Sequence, residues 1–131
     1  MIVLDTSAVM AILLRESDAR VFADAIAASP RVFMSSGTLL ELNIVATKLR
    51  EAPGAADAQQ FIGESAVEIV PFGAAQAQVA SDAYRLYGKG RNRAGLNFGD
   101  CFAYALAKSR NLPLLFKGDD FTKTDVQVWR A

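Results

Sequence analysis

Short apolar runs alternate along the chain with longer segments in which apolar residues recur at helical spacing. The apolar runs predict strands at 2–4, 32–35, 67–70 and 114–116, and residues 126–129 fit a last edge strand. The helical spacing predicts helices over 7–14, 18–28, 39–51, 55–64, 74–87 and 98–110. This alternation favours an α/β fold, a three-layer α/β/α sandwich with a mainly parallel sheet of four to five strands. We expect a single domain over residues 1–131.

Three helix boundaries are predicted from local signals. Ser17 is a suitable N-cap for the helix over 18–28, and Asn97 for the helix that starts at residue 98. Pro53 and Gly54 predict a turn between the two helices on either side of them.

Composition limits the compartment and suggests a partner. Hydrophobic residues make up 52% of the chain and mean hydropathy is +0.19, so we expect heavily buried helices or apolar surface that meets another protein. The single cysteine, Cys101, excludes an intrachain disulfide and fits a reducing compartment. The sequence has no secretion-signal pattern and no apolar run of membrane-spanning length, which predicts a soluble cytoplasmic protein.

Histidine is absent, and its absence narrows the possible chemistry. Ser-His-Asp and Cys-His nucleophiles, ribonucleases with histidine as acid and base, and His-ligated zinc are all excluded. An enzyme of this composition must use carboxylates, basic side chains, hydroxyls or a metal bound by oxygen. Because the formal net charge is zero, any attraction to nucleic acid must come from a local patch.

Four acidic residues fall where the predicted topology brings chain segments together. Asp5 and Asp119 follow predicted strands, and Glu41 and Asp100 lie near the start of predicted helices. The carboxyl ends of parallel strands and the amino ends of the helices that follow them share one edge of a sheet. We therefore expect these carboxylates to converge there, whereas the adjacent Asp120 is expected to point elsewhere.

Each acid also has a simpler structural interpretation. Asp5 is a suitable helix cap, and Asp100 suits the positive end of a helix dipole. Glu41 can pair with Lys48 or lie at the solvent rim, and aspartates such as Asp119 are common in turns. The combination of the four nevertheless favours a cation, because clustered carboxylates repel one another unless a positive charge neutralises them.

The predicted ion is Mg²⁺, with Mn²⁺ as a substitute, since hard divalent cations prefer oxygen ligands. Thr6 and Ser7 offer hydroxyl groups that order a ligand or a metal-bound water. Such a site suits phosphodiester hydrolysis, because the metal lowers the pKa of a bound water and neutralises charge on the phosphate oxygens.

The only concentration of basic residues surrounds the glycine-rich segment 88–95 and comprises Arg85, Lys89, Arg91 and Arg93. One interpretation is that this segment binds RNA phosphates while nearby tyrosines stack on unpaired bases. The other is a solvated, mobile loop without a ligand. The position of the segment just before Asp100 leaves the two interpretations about equally supported.

With these residues identified, the chain resembles the PIN-domain family and, within it, the VapC toxins of bacterial toxin–antitoxin pairs. The resemblance rests on residues 3–8 (VLDTSA), Glu41, residues 95–102 (GLNFGDCF) and residues 114–121 (LLFKGDDF), and it covers nearly the whole chain. The first motif alone is weak, whereas the last two in this order and spacing are specific. The resemblance maps the acidic residues of the family onto Asp5, Glu41, Asp100 and Asp119, with Thr6, Ser7, Asn97 and Asp120 as supporting positions.

The resemblance implies a Mg²⁺- or Mn²⁺-dependent endoribonuclease, a toxin that blocks translation by cutting RNA. It also implies inhibition by a cognate VapB-like antitoxin, assembly as a homodimer, and DNA binding only through the antitoxin. The apolar segments 8–14 and 21–26 are then candidates for surfaces covered by the antitoxin or by the second subunit.

The residues leave two other functions open. A Mg²⁺-dependent phosphatase with Asp5 as its nucleophile is one, although Ser7 stands where such enzymes generally carry the second acid of an Asp-x-Asp pattern. A non-catalytic module that binds RNA or protein is the other. This module would not gain thermal stability from a metal, whereas a true metal site would.

Overall fold

The computed structural model describes residues 1–131 and contains five helices and four strands. They follow one another in the chain as β1 Ile2–Leu4, α1 Thr6–Leu13, α2 Ala19–Ala28, β2 Val32–Ser35, α3 Ser36–Glu64, β3 Glu68–Val70, α4 Ala74–Tyr87, α5 Phe98–Arg110 and β4 Leu114–Leu115. The predicted alternation of strands and helices is confirmed.

The four strands form one parallel sheet in the order β3-β2-β1-β4. Val3 of the central strand β1 pairs with Phe33 on one side and with Leu114 on the other. All four carboxyl ends therefore lie at one edge of the sheet. The predicted last edge strand is reduced to a single parallel bridge between Leu114 and Val128.

Helices cover both faces of the sheet, which confirms the predicted α/β/α arrangement. One apolar core lies between the sheet and α1, α2 and α3, and includes Leu4 and Met34. A second core lies between the opposite face and α4 and α5, and includes Val3 and Phe33. Because successive strand residues point to opposite faces, a strand buried on both sides has to be apolar throughout.

The structure corrects the predicted start of α2. The N-cap residue is Asp18, not Ser17, and its side chain makes no capping hydrogen bond. The Asp18 carboxylate instead accepts a hydrogen bond from the Lys117 ammonium at 3.2 Å. A long-range ion pair thus takes the place of the local cap.

The predicted turn at Pro53 and Gly54 is also wrong. Both residues lie within α3, and the interruption falls earlier, where Arg50 and Glu51 leave helical geometry. Proline fits the first turn of the second helical segment, because an amide there has no intrahelical partner to lose. Gly54 lets this segment pack directly against the Ala46 carbonyl, which a Cβ would overlap.

The apolar excess is only partly explained by the core. Residues 8–11 of the candidate segment 8–14, and Phe22, Ala25 and Ile26 of the candidate segment 21–26, are buried within the chain itself, so for them the expectation of a covering partner is wrong. Large apolar side chains remain exposed elsewhere, and they include Leu14, Val21, Leu40, Ile44 and Phe98. None of the helices combines the length and the apolar character that a bilayer-spanning segment requires.

Candidate active site

Asp5 lies at the carboxyl end of β1 and caps α1. Its Oδ2 atom accepts hydrogen bonds from the Ser7 amide at 3.1 Å and from the Ser7 hydroxyl at 2.6 Å. Its Oδ1 atom is buried and has no hydrogen-bond partner. Burial raises the pKa of Asp5 to about 6, and the nearby charge of Glu41 adds to the rise, although the Ser7 hydrogen bonds oppose it.

Glu41 approaches Asp5 from α3. Its Oε1 atom accepts a hydrogen bond from the Thr6 hydroxyl at 2.6 Å, which joins α1 to α3. The other carboxylate oxygen lies against Gly99, where a Cβ would overlap it. Glu41 forms no ion pair with Lys48, so that structural interpretation of Glu41 is wrong.

Asp100 enters the site from the first turn of α5. Asn97 and Asp100 form a reciprocal capping box, in which each side chain accepts a hydrogen bond from the backbone amide of the other at 2.9–3.0 Å. The predicted cap at Asn97 is confirmed. Burial raises the pKa of Asp100 to about 8, and the charges of Asp5 and Asp120 add to the rise.

The turn after β4 contains two adjacent aspartates that differ in their surroundings. Asp120 is near enough to Asp100 to raise the pKa of the Asp100 carboxyl. The expectation that Asp120 points elsewhere is therefore wrong. Both aspartates are exposed, and the Asp119 backbone carbonyl accepts hydrogen bonds from the Thr122 amide and hydroxyl. Of the two, Asp120 and not Asp119 affects the Asp100 carboxyl.

The basic segment is more ordered at its base than predicted. Gly88 and Leu96 form a bridge, and the Lys89 amide donates to the Leu96 carbonyl at 2.7 Å. Lys89, Arg91 and Arg93 are exposed beyond this bridge. Arg85 also lies on the surface but is paired with Asp82. Because the bridge closes immediately before the α5 cap, the loop and Asp100 lie close together along the chain.

The two buried aspartates can be tested as ligands for a cation. No three acidic, histidine or cysteine side chains stand close enough together to hold an ion on their own. Mg²⁺ does not need such a cage, since it commonly binds one or two protein carboxylates and keeps several waters. The unpaired Oδ1 of Asp5 and the raised pKa values of Asp5 and Asp100 both indicate carboxylates that lack a positive partner. The residues present fit a hard divalent cation.

Two residues of the site were not found from the sequence. Gly99 permits the contact between α5 and the Glu41 carboxylate, and a glycine in the first turn of a helix is a signal of close packing. Lys117 donates its backbone amide to the Ser7 hydroxyl at 2.9 Å, across 110 positions of the chain. No local pattern reveals a contact over that separation.

The comparisons with known proteins agree with this fold. The sequence model of the PIN domain matches residues 2–127. The chain therefore belongs to the PIN domain family. Within that family it is 48% identical over 124 residues to the protein named Ribonuclease VapC from Mycolicibacterium smegmatis, covering 95% of this chain and 96% of that protein. The predicted resemblance to VapC proteins is confirmed.

Solved structures show the same fold at lower sequence identity. VapC20 from Mycobacterium tuberculosis, described as a sarcin-ricin loop cleaving toxin, has a TM-score of 0.78 at 18% identity and matches 100% of both chains. VapBC2 from Rickettsia felis, bound to a DNA fragment from its promoter, has a TM-score of 0.74 at 19% identity. That match covers 98% of this chain and 96% of the other.

Proposed function

We propose that this protein is a Mg²⁺-dependent endoribonuclease, with Mn²⁺ as a substitute ion, and the toxin of a type II toxin–antitoxin pair. The observation that carries the proposal is the pair of buried carboxylates, Asp5 and Asp100, which meet at the carboxyl edge of the sheet without a cationic partner. The 48% identity to a protein named Ribonuclease VapC supports RNA as the substrate. Neither alternative function has an observation of its own in its favour.

In this proposal Asp5 and Asp100 hold the metal, and Glu41 and Asp120 complete the acidic cluster. We place Asp120 in the role that the sequence suggested for Asp119, because Asp120 and not Asp119 raises the pKa of Asp100. A bound Mg²⁺ supplies Lewis-acid chemistry, in that it neutralises charge developing on the phosphodiester and makes water a stronger nucleophile.

Neighbouring groups fix the carboxylates in place. The Ser7 hydroxyl donates to one oxygen of Asp5, the Thr6 hydroxyl to one oxygen of Glu41, and the Asn97 backbone amide to one oxygen of Asp100. Asp5 thus keeps a second oxygen, Oδ1, that has no hydrogen-bond partner. Such hydrogen bonds lower the cost of ordering the ligands when a metal binds.

We further propose that the exposed Lys89, Arg91 and Arg93 bind the phosphate backbone of the RNA. The support is their exposure on a loop that closes directly before the α5 cap. Electrostatic attraction to phosphates acts without regard to RNA sequence, so these cations would attract any RNA. Because the loop directly precedes α5, RNA bound to it would lie near the amino end of that helix, which carries Asp100. Arg85 should contribute less to RNA binding, because its guanidinium is already paired with Asp82.

A VapB-like antitoxin and a second copy of the chain are the proposed protein partners. Exposed apolar side chains support such contacts, and a shallow cleft between α1 and α3 is lined by Leu13, Leu14 and Leu49. The Rickettsia felis structure is of a VapBC pair on DNA. By analogy, we propose that DNA is contacted through the antitoxin and not by this chain.

The test is RNA cleavage by the purified protein with Mg²⁺, with EDTA, and with Mg²⁺ restored after EDTA. Cleavage should require the metal, and Asp100→Asn should abolish it while the protein remains folded. Asp24→Asn serves as a matched control, because Asp24 is an exposed acid paired only with Arg20. Undiminished cleavage by the folded Asp100→Asn protein would refute the proposal, and so would cleavage in EDTA.

A further inference from the structure

An apolar groove with a volume of about 570 Å³ lies between α4 and α5 and is open to solvent. Its walls are largely aromatic and include Phe72, Tyr84, Phe98 and Phe102. The Phe102 ring makes edge-to-face contacts with Phe72 and with Phe98, at 4.7 Å and 5.1 Å between centroids. The groove has the size of a small-ligand pocket, and its lining suits a flat apolar group.

Phe98 is the most exposed large apolar side chain of the protein, at 79%. It belongs to neither of the two apolar cores, so packing of the fold does not account for a phenylalanine in the first turn of α5. The edge-to-face contact with Phe102 leaves a face of the Phe98 ring uncovered. A ring exposed in this way can stack on a planar ligand.

The segment that joins α4 to α5 lies at one end of the groove. Its start contacts Tyr84, because the Tyr84 ring packs so closely on Gly88 that a Cβ there would lie 2.8 Å from the ring. The Tyr84 hydroxyl also donates to the Lys89 carbonyl at 3.4 Å. The segment closes at the bridge between Gly88 and Leu96 and leads directly to Phe98. It therefore connects one wall of the groove to the other.

This segment carries positive charge that the protein does not neutralise. Lys89, Arg91 and Arg93 are exposed and form no ion pair, whereas Arg85 on α4 is paired with Asp82. A purely apolar occupant of the groove would leave these three cations without a counterpart. An unpaired nucleotide complements both features, because it joins a flat aromatic base to negatively charged phosphates.

We infer that the groove between α4 and α5 binds an unpaired RNA base, which stacks on Phe98 while its phosphates contact the three cations of the adjoining loop. The inference rests on the proposed function, since it assigns a base-binding subsite to the same RNA substrate. Phe98 stands two residues before Asp100, and the intervening Gly99 contacts Glu41. The bound base thus lies near the acidic cluster, and the RNA must be single-stranded at that nucleotide.

The groove also distinguishes the two tyrosines next to the basic segment. Tyr84 lines the groove and is partly exposed, so its ring is available to a base. Tyr87 instead packs against Tyr104 in the second core, with ring centroids 6.2 Å apart. Only Tyr84 is therefore assigned to the base-binding subsite.

The first measurement is binding of a short single-stranded RNA of mixed sequence in EDTA, which requires neither metal nor cleavage. Phe98→Ala should weaken binding by about 5–150-fold, the range expected for one base stacked on an aromatic ring. Phe98→Trp should bind like the wild type, whereas Phe98→Leu should resemble Phe98→Ala because leucine is apolar but cannot stack. Leu86→Ala, which shortens an exposed apolar side chain of α4 outside the groove, is the matched control.

The second measurement separates stacking from charge. Phe98→Ala should leave the slope of log affinity against log salt unchanged, because stacking on an apolar ring releases no counterions. Lys89→Gln should reduce that slope by about 0.7. Binding of the same RNA paired with its complement should not depend on Phe98, because paired bases cannot enter the groove. Equal losses for the single and the double strand would overturn the inference, and so would equal affinity of the wild type and Phe98→Ala for the single strand.

Light scattering tests whether a second copy of the chain occupies the groove instead. The wild type and Phe98→Ala should have the same mass in solution. A dimer that dissociates on this substitution would assign the groove to the partner subunit and overturn the inference. If Phe98→Ala does not fold, Phe98→Leu decides, because leucine keeps an apolar contact with Phe102.

The outcomes also separate this inference from the proposed function. A wild type that cuts no RNA but binds the single strand in a Phe98-dependent manner would refute the ribonuclease and leave the base-binding subsite standing. Cleavage of single-stranded RNA by the wild type and Phe98→Ala with the same KM would refute the subsite alone.

Discussion

Replacing Asp5 with asparagine should make the metal-free protein more stable at neutral to alkaline pH, although the change removes a proposed metal ligand. Asp5 is only 4% exposed, and one of its carboxylate oxygens has no partner. Asparagine is as good an N-cap as aspartate, so its side-chain oxygen can keep the hydrogen bonds from Ser7. The main effect is then the loss of a buried negative charge next to Glu41 and Asp100.

The magnitude follows from the pKa of Asp5. Burial raises it from 3.8 to about 6, and each pKa unit corresponds to about 1.36 kcal/mol, so ionised Asp5 costs the folded state about 3 kcal/mol. An imperfectly placed asparagine amide offsets about 1 kcal/mol of this gain. A net increase of about 2 kcal/mol in unfolding free energy raises Tm by roughly 6 °C for a chain of this size.

The pH dependence has a definite sign. An acid whose folded pKa is raised binds its proton more tightly in the folded state, so its contribution to stability is lost as pH rises from about 4 through about 6. Because the pKa of Asp100 is raised to about 8, the loss of stability with rising pH continues to about pH 8. The advantage of Asp5→Asn should therefore be present at about pH 8 and vanish near pH 4.

The assay is thermal unfolding of the wild type and Asp5→Asn in EDTA and in Mg²⁺. At a free Mg²⁺ concentration one hundred times its dissociation constant, the metal should stabilise the wild type by about 3 kcal/mol. It should have little effect on the stability of Asp5→Asn. The order of the two Tm values should thus reverse when Mg²⁺ is added. A lower Tm for Asp5→Asn in EDTA at pH 8, or equal stabilisation of both proteins by Mg²⁺, would refute the reasoning. Asp24→Asn should show neither effect.

Three further predictions concern the surroundings of the metal. Gly99→Ala should lower unfolding free energy by about 1–3 kcal/mol and reduce cleavage, because its Cβ overlaps the Glu41 carboxylate; wild-type Tm and activity would contradict this. Asp120→Asn should reduce Mg²⁺-dependent cleavage by about 10–100-fold and Asp119→Asn much less, and the opposite ranking in a cleavage assay would show that Asp119 is the ligand. Arg91→Gln should raise KM for RNA, leave kcat unchanged and reduce the slope of log affinity against log salt by about 0.7, whereas an unchanged slope would exclude a phosphate contact.

Features that depend on neighbouring residues were predictable from the sequence. The apolar strand β1 ending at Asp5 and the capping box of Asn97 and Asp100 are local patterns, and both are present. The parallel sheet follows from the alternation of strands and helices, and it brings Asp5, Glu41 and Asp100 to one edge. The absence of histidine, visible in the sequence, leaves carboxylates, basic side chains, hydroxyls or an oxygen-bound metal as the available catalytic groups.

Local signals failed where a more distant contact competes with them. Asp18 caps α2 without a capping bond because its carboxylate pairs with Lys117. Pro53 and Gly54 continue α3 because Gly54 packs against Ala46. The local preference of a residue type does not show whether a distant contact will override it.

The composition of the acidic cluster was decided by tertiary structure alone. Asp119 and Asp120 are adjacent and chemically identical, so no sequence pattern distinguishes the one that reaches Asp100. The sequence by itself determined which edge of the sheet carries the acids, because that depends on strand direction. Only tertiary packing determined which groups meet there, because the Thr6 hydroxyl reaches Glu41 across 35 positions of the chain and the Lys117 amide reaches Ser7 across 110.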